Sequence, residues 1–375
     1  MRVAYVTPYY NGACDGRFGR FHDWVHWARD RGAPFEFDVD AFTASNPDAT
    51  LAEAPHSYLG DAASLWGTKA NKVEFLLNAR RVRRALRRNS YDVVHVLTMD
   101  TIVYPTVLSA IGDTPLVVGP DIAGWSPVRD VPYWEDGVTD WVDNRARYLL
   151  KNGISRAGRY DRAVAFSDHH RNIIVSFGVP VDRITVIEPG VDAMFSPDSR
   201  TESADPPELL FVGDFSEHKG YPHFLRALSN LDRTVEARVV GAGDANEEQI
   251  ARLGLSDIVT VEGFVSRAEL PSLYRESDLV VIPTIDETAG TNIQFEALAC
   301  GKPVVVTDKP GVSEFTPPDA SVMFSPRTVS NLVDALERAV DNIESLTKAA
   351  RDNASEFRAD RPLTQLNDLY ERLSR

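Results

Sequence analysis

Twelve strand-sized apolar segments, separated by helix-sized stretches, constrain the fold of this chain more than any other feature. Most of them are near-continuous runs of Val, Ile and Leu, such as DLVVIPT and PVVVTD, without strict apolar–polar alternation. Such runs are typical of parallel strands that are buried on both faces of a sheet. Strands that alternate with helices therefore predict the α/β class, and 375 residues are enough for two domains with full cores.

A polar segment without apolar periodicity divides the chain. Residues 195–208, FSPDSRTESADPPE, are rich in Pro, Ser, Asp and Glu, which is typical of a linker. We therefore predict two Rossmann-like, doubly wound domains at 1–190 and 208–375, joined by a linker at 191–207. The last helix could pack back on the first domain. Ligands bind at the carboxyl ends of the strands in such sheets, so two facing domains would hold a ligand in the cleft between them.

Composition is that of a soluble globular protein, with 43% hydrophobic and 25% charged residues. The longest apolar runs are shorter than the roughly 20 residues of a membrane-spanning helix, and MRVAYVTPYY resembles a strand more than a signal peptide. Cys14 and Cys300 are too few for a disulfide framework or a thiolate zinc site. We expect a cytoplasmic protein without a dedicated metal site.

The net charge of −15 is unevenly distributed. Residues 1–190 hold 22 Lys and Arg against 23 Asp and Glu, whereas residues 191–375 hold 18 against 32. The near-neutral half could therefore present basic patches to an anionic partner, or the two surfaces could simply differ. Only 7 of the 40 basic residues are lysines, against 34 aspartates, a bias that suggests a salt-adapted source.

A helix start after an apolar strand is the first candidate site. TNIQFEALAC has helical apolar spacing, and its free N–H groups near Thr291, Asn292 and Ile293 would attract an anion. Glu296, one turn into the helix, could accept two hydroxyl hydrogen bonds, as a ribose diol would offer. It could also be a solvated helix glutamate. Its neighbour Phe295 and the small apolar residues that follow favour burial.

The same stretch carries a family resemblance. E-x-x-G followed by EALACGKPVV resembles the signature of glycosyltransferase family 4, whose members are retaining enzymes of the GT-B fold. VIEPGVDAMFSP, FVGDFSEHKG and VTVEGFVSRAELPSLYRESDLVVIPT are similar to further family segments, and they occur in the family's order. The resemblance covers most of the chain and implies two doubly wound domains, a nucleotide-sugar donor and a retaining transfer.

The resemblance also implies roles for individual residues. Glu296 matches the glutamate that holds the ribose of the donor nucleotide, and Lys219 matches the lysine that contacts the donor phosphates. The loop and helix start beneath the phosphates match Gly290, Thr291, Asn292 and Ile293. No metal cofactor is implied, because Lys219 and the helix dipole take that role.

Three positions depart from the family pattern. Asp214 stands where an arginine often joins the lysine, and it could turn away or bind sugar hydroxyls. Thr288 stands where the first glutamate of a pair is usual, so Glu287 could reach the sugar after a one-residue change in loop length, or be a turn acid. Asp121 replaces a histidine at a strand end, and it could bind hydroxyls, act as a base or cap a turn. His95, at the end of an adjacent strand, is interpreted as structural.

Two further features concern the first domain. The loop NGACDGRFG, with Gly12 and Gly16, resembles the family's glycine-rich turn that approaches donor phosphate and acceptor. In ARRVRRALRR, a predicted helix, Arg80, Arg84 and Arg87 share one face that could rest on anionic lipid headgroups or be a solvated surface. Trp125 could stack on a sugar ring or touch a lipid chain.

These features predict a retaining glycosyltransferase with a nucleotide-sugar donor and no nucleic-acid partner. The acceptor could be a lipid-linked sugar at the cytoplasmic membrane face, used in surface glycans or protein glycosylation. Two alternatives stay open: a weakly active or inactive partner subunit that binds a nucleotide-sugar, and a transferase with another phosphate-linked donor. A Rossmann dehydrogenase is disfavoured, because no dinucleotide fingerprint occurs.

Overall fold

The computed structural model describes most of the chain. The described residues are 1–7, 38–42, 68–98, 103–121, 158–199, 203–284, 291–325, 327–358 and 360–375. They form two compact units, Met1–Glu188 with Pro362–Arg375, and Pro189–Arg361. Each unit contains a six-stranded sheet in which the paired strands are parallel. The predicted α/β class is confirmed, and the twelve described strands coincide with the twelve predicted segments.

The first unit has the sheet order β2-β1-β3-β4-β5-β6. Its strands are Arg2–Val6 (β1), Asp38–Phe42 (β2), Val93–Thr98 (β3), Leu116–Asp121 (β4), Arg162–Ala165 (β5) and Ile184–Val186 (β6). Its helices are Thr68–Arg88 (α1), Val103–Leu108 (α2) and Asp168–Ser176 (α3), with a 3-10 turn at Val181–Arg183. Phe75, Val82 and Leu86 of α1 are buried, because they recur at helical spacing on the face that packs into the core.

The second unit has the sheet order β12-β11-β10-β7-β8-β9. Its strands are Glu208–Val212 (β7), Glu236–Val240 (β8), Val259–Gly263 (β9), Leu279–Ile282 (β10), Val304–Thr307 (β11) and Ser321–Phe324 (β12). Its helices are Tyr221–Leu228 (α4), Glu247–Arg252 (α5), Leu270–Glu276 (α6), Asn292–Ala299 (α7), Pro310–Ser313 (α8), Val329–Asp341 (α9) and Ile343–Asn353 (α10), followed by a 3-10 turn at Ala354–Phe357.

The central strand β10 shows why apolar runs mark these strands. Leu279 and Val281 belong to the core on one face of the sheet, whereas Val280 and Ile282 belong to the core on the other. All four side chains are buried, so no position of the strand is available for a polar residue.

The C-terminal helix, Asp360–Ser374 (α11), is grouped with the first unit from Pro362 onward. Its buried leucines and Tyr370 provide an apolar face for that contact. The segment predicted as a linker, 191–207, is grouped with the second unit. Val191 and Phe195 are buried there, and the Val191 N–H donates to the Phe357 carbonyl oxygen over 2.9 Å.

A buried chain of hydrogen bonds ties α11 to the first sheet. The hydroxyls of Tyr5 and Tyr370 lie 2.7 Å apart, and the Tyr370 hydroxyl lies 2.6 Å from His95 Nδ1. His95 Nε2 lies 2.8 Å from the Gly119 carbonyl oxygen, which can only accept, so Nε2 carries the ring proton. Nδ1 therefore accepts from Tyr370, and the Tyr370 oxygen accepts from Tyr5.

His95 differs in position from the prediction. The strand β3 continues to Thr98, so His95 lies in its middle and not at its end. The ring is fully buried, and this burial lowers the pKa of His95 to about 3, so the imidazole is neutral at ordinary pH. Its contacts confirm the structural interpretation.

Candidate functional site

The candidate site lies where the order of the second sheet reverses. The strands β7 and β10 are hydrogen-bonded neighbours, but the chain moves outward from them in opposite directions. In doubly wound sheets, ligands bind beyond the carboxyl ends of the two strands at such a switch point. The segment after β7 carries Lys219, and the segment after β10 leads to Thr291, so the switch point brings together two parts of the predicted donor site.

The loop after β7 is held by short-range hydrogen bonds. Asp214 is exposed, and its Oδ1 accepts from the Ser216 N–H over 3.2 Å. The Lys219 N–H donates to Ser216 Oγ over 3.3 Å, and the Lys219 side chain is half-buried. A Cβ on Gly213 would lie 3.5 Å from Lys219 Cγ, so the lysine stem passes over this glycine.

Two glycines allow the strand ends to converge. Gly220 precedes α4 with a φ of 78°, and a Cβ at this position would overlap the carbonyl oxygen of Pro283, which follows β10. A Cβ on Gly241, which follows β8, would overlap the carbonyl oxygen of Gly213. Side chains larger than hydrogen would push these loops apart, so the compact end of the sheet depends on both glycines.

The helix α7 begins where it was predicted. Thr291 caps it, because its side chain accepts from the Gln294 N–H over 3.0 Å, and Gly301 follows its end with a φ of 71°. Thr291 is buried, whereas Asn292 and Ile293 are half-buried. The first turn contains no acidic residue, so nothing within it offsets the partial positive charge of the helix start.

Glu296 is buried and paired at both carboxylate oxygens. Arg267 Nη1 donates to Oε1 over 2.7 Å, and the Tyr274 hydroxyl donates to Oε2 over 2.8 Å. The Glu296 side chain is 4% exposed and that of Arg267 is 18% exposed. The alternative of a solvated glutamate is therefore wrong for this residue, because the side chain faces protein and not water.

The surroundings of Glu296 fix the protonation of its neighbours. Burial, with the nearby Glu296 charge, holds the pKa of Tyr274 well above its usual range, so the phenol keeps its proton. Burial also raises the pKa of Cys300 to about 12, which makes this thiol unreactive at neutral pH. The Arg267 guanidinium lies over the Phe195 ring, with Cζ 4.9 Å from the ring centre.

Arg267 and Tyr274 were missed by sequence reasoning. Arg267 precedes α6 and Tyr274 lies within it, 29 and 22 positions before Glu296. Their motif, VSRAELPSLYRESD, belongs to the segment that resembles the family's approach to its signature. The local periodicity of a helix or strand does not relate residues that are 22 or 29 positions apart, so it could not indicate the contacts of Arg267 and Tyr274 with Glu296.

The remaining predicted residues fall into two groups. Asp121 ends β4, opposite Thr98 of β3, which agrees with its predicted place at a strand end. Arg80, Arg84 and Arg87 are exposed on α1, and the Arg87 guanidinium donates to the Ser109 carbonyl oxygen over 2.7 Å. The predicted residues that lie outside the described ranges are Glu287, Gly290, Gly12, Gly16 and Trp125.

Two features are absent from the part of the chain that the structure describes. Within the described residues, no helix is both long enough and apolar enough to cross a membrane. In the same ranges, no three His, Cys, Asp or Glu side chains are grouped closely enough to hold a metal ion.

Comparisons with known proteins agree with this geometry. This chain has two α/β units with parallel sheets, and the solved glycosyltransferase structures that match it over nearly its whole length show that its fold is GT-B. The Anabaena protein HepE, solved with UDP, matches at a TM-score of 0.70 and 17% identity over 99% of this chain and 100% of that one. WaaG, a glycosyltransferase involved in lipopolysaccharide biosynthesis, also matches at a TM-score of 0.70, with 17% identity over 98% and 99% of the two chains.

The family follows from sequence. The model described as Glycosyltransferase Family 4 matches residues 22–195, and the model described as Glycosyl transferases group 1 matches residues 195–357. The two models together cover residues 22–357, and this chain belongs to glycosyltransferase family 4.

Relatives with named activities share part of the sequence. D-inositol 3-phosphate glycosyltransferase of Paenarthrobacter aurescens is 32% identical over 52% of this chain, and the match spans about half, 53%, of that relative. Alpha-D-kanosaminyltransferase of Streptomyces kanamyceticus is 26% identical over 74% of this chain and 76% of its own length.

Proposed function

We propose that this chain transfers a sugar from a nucleotide-sugar donor to an acceptor, with retention of configuration. The observation that carries the proposal is the switch point, where the loop with Lys219 follows β7 and the capped start of α7 follows β10. A lysine and the N–H groups of a helix start suit the two phosphates of a nucleoside diphosphate. Glu296, in the second turn of α7, suits the ribose diol. The HepE structure with UDP supports this donor class.

Asp214 makes no phosphate contact in the proposed donor site. Its carboxylate is exposed and accepts a hydrogen bond from its own loop, so the proposed phosphate partners are the Lys219 ammonium and the N–H groups at the start of α7. Replacing Asp214 with Arg should tighten donor binding, because a positive charge would replace a negative one beside the phosphates. Unchanged or weaker binding would place Asp214 elsewhere in the site, for instance on sugar hydroxyls.

Donor binding can be tested by thermal unfolding with UDP-, GDP- and dTDP-sugars. A donor at about 100 times its Kd stabilises the folded chain by about 2.7 kcal/mol. Glu296→Ala should reduce this stabilisation far more than Glu287→Ala, and equal small effects would contradict the ribose role. Donor hydrolysis or transfer then shows whether the chain is an enzyme or a subunit that only binds. Turnover that is unchanged by EDTA would indicate that the enzyme needs no metal. Binding without turnover on any donor would support the partner subunit.

We further propose a lipid-linked acceptor at the cytoplasmic face of an anionic membrane, with α1 as the contact. Leu76 and Leu77 are 56% and 79% exposed, one to two turns before Arg80 and Arg84 on the same helix. Exposed leucines next to arginines suit an interface of lipid chains and phosphate headgroups. Each arginine near such a surface contributes about 1 kcal/mol.

Vesicle sedimentation tests the membrane contact. Wild-type chain should bind vesicles that contain phosphatidylglycerol and not vesicles of phosphatidylcholine alone. Replacing both Arg80 and Arg84 with Gln should weaken this binding roughly 30-fold, from about 1 kcal/mol per arginine. Arg252→Gln removes one exposed arginine of α5 and is the control, so its loss of binding free energy is compared with half of that of the double variant. An equal loss in the control would indicate non-specific charge attraction.

A further inference from the structure

The carboxylate of Glu296 is held in one orientation. Arg267 donates to Oε1 over 2.7 Å and Tyr274 donates to Oε2 over 2.8 Å, so the donors bind different oxygens. A turn of the carboxylate about its terminal bond would break both hydrogen bonds at once. Because only 4% of the Glu296 side chain is exposed, bulk water would replace these hydrogen bonds poorly.

The two donors are themselves held by a common neighbour. Phe195 is fully buried, with the Arg267 guanidinium over its ring and the Tyr274 ring edge-on to it at 6.0 Å between centres. Tyr274 is also fully buried. Their side chains therefore have little freedom to leave Glu296.

The charge of this cluster suits an anionic ligand. A buried carboxylate alone would repel a diphosphate and would be costly to desolvate. Arg267 compensates that charge at 2.7 Å. Tyr274, whose pKa lies well above its usual range, stays a hydrogen-bond donor.

Glu296 keeps acceptor capacity after these contacts. A carboxylate offers about four acceptor sites, two on each oxygen. Among the described residues, one donor approaches each oxygen, which leaves one acceptor site on each. A ribose offers two O–H donors on adjacent carbons, and each oxygen of the Glu296 carboxylate has one acceptor site left for one of them.

We propose that Arg267 and Tyr274 are positioning residues that make the donor site prefer ribonucleotides to 2′-deoxyribonucleotides. They hold Glu296 so that each oxygen keeps one acceptor site for the 2′ and 3′ hydroxyls. The inference rests on the ribose role of Glu296 proposed above, and it adds the two residues that set the strength of that contact. A loosely held carboxylate would lose freedom on binding the diol, whereas this one is already oriented.

The test compares ribo- and deoxyribonucleoside diphosphates by calorimetry, using UDP with dUDP and GDP with dGDP. Wild-type chain should bind the ribo form of its preferred base about tenfold more tightly, since the lost hydrogen bond is to a charged group. Tyr274→Phe keeps the ring and removes the hydroxyl, and it should bring this ratio to about threefold or less. Arg267→Lys, which keeps the charge without the planar fork, should also lower it.

The control is Tyr370→Phe, which removes a buried tyrosine hydroxyl of the first unit. It should leave the ribo-to-deoxy ratio unchanged even if it lowers the Tm. A wild-type ratio in Tyr274→Phe, or an equal fall in Tyr370→Phe, would overturn the inference. Wild-type chain that binds none of these diphosphates, and is stabilised by no nucleotide-sugar in the thermal test, would overturn the proposed donor class itself. Binding without discrimination would overturn only the ribose contact.

Discussion

Each unit contains a buried polar cluster that involves a tyrosine hydroxyl, and these two clusters differ in charge. The first-unit network consists of Tyr5, His95 and Tyr370, and burial keeps all three side chains neutral. The second-unit cluster consists of Arg267, Tyr274 and Glu296 and contains an ion pair between a half-buried arginine and a buried glutamate. The first network joins α11 to the first sheet, and the second cluster joins α6 to α7. The first buries no charge, whereas the second requires the desolvation of a carboxylate.

The difference indicates different roles. A neutral network with short hydrogen bonds, such as the 2.6 Å contact between Tyr370 and His95, is sufficient to anchor α11. A buried ion pair is weak evidence for stability, because apolar residues of the same volume often stabilise a fold as well or better. The ion pair at Glu296 therefore suits the ribose contact proposed above better than a purely structural role.

The largest expected effect comes from breaking the ion pair. Arg267→Ala leaves the buried Glu296 carboxylate without its counter-ion, which typically costs about 3–5 kcal/mol. We expect the Tm measured by calorimetry to fall on the order of 10 °C. Adding Glu296→Gln should recover much of this loss, because a neutral amide needs no counter-ion. A double variant as unstable as Arg267→Ala would show that lost packing on Phe195, and not charge, causes the effect.

The fold was largely predictable from sequence, for a physical reason. Strands such as β10 are buried on both faces, so every position must be apolar and the run stands out. The start of α7 was equally visible, because Thr291 and Gly301 mark its ends by local chemistry. The close approach of Gly220 to Pro283 could not be read this way, since it joins residues from two strands.

The site was predictable only in part. Glu296 and Lys219 lie in local motifs, whereas Arg267 reaches Glu296 across 29 positions and from another element. Tyr370 meets Tyr5 across 365 positions, so the contact between α11 and the first unit had no signal in the nearby sequence. Contacts of this kind depend on tertiary packing, and single-chain periodicity reports only which face of an element is apolar.

The second effect is a pH dependence of the first-unit network. The folded chain holds the pKa of His95 at about 3, against an ordinary 6.5, so the unfolded chain binds a proton first as the pH falls. The free energy of unfolding should therefore be undiminished above pH 6.5 and fall by about 1.4 kcal/mol per pH unit below it. Urea unfolding at pH 6.5 and pH 4.5 should show a loss of roughly 2–3 kcal/mol from this group.

His95→Gln is the reference for that measurement. Glutamine does not titrate, so the variant should be less stable at pH 6.5 but lose less stability on acidification than the wild-type chain. Acid titration of the carboxylates contributes to both chains and cancels in the difference. Parallel losses in the two chains would show that His95 accepts a proton in the folded state without cost.

The smallest effects come from the two tyrosine hydroxyls, and they test the direction of the hydrogen bonds. Tyr370→Phe leaves His95 Nδ1 without this donor and the Tyr5 hydroxyl without this acceptor, so we expect a loss of about 1–3 kcal/mol. Tyr5→Phe leaves Tyr370 able to donate to His95, and it should cost about 1 kcal/mol or less. The double variant should cost less than the sum, because the two residues share one bond. Calorimetry of the ligand-free chain gives all three values. A larger loss for Tyr5→Phe than for Tyr370→Phe would reverse the assigned order of donors. His95 would then have to donate from both ring nitrogens, and the network would carry a charge like the cluster around Glu296.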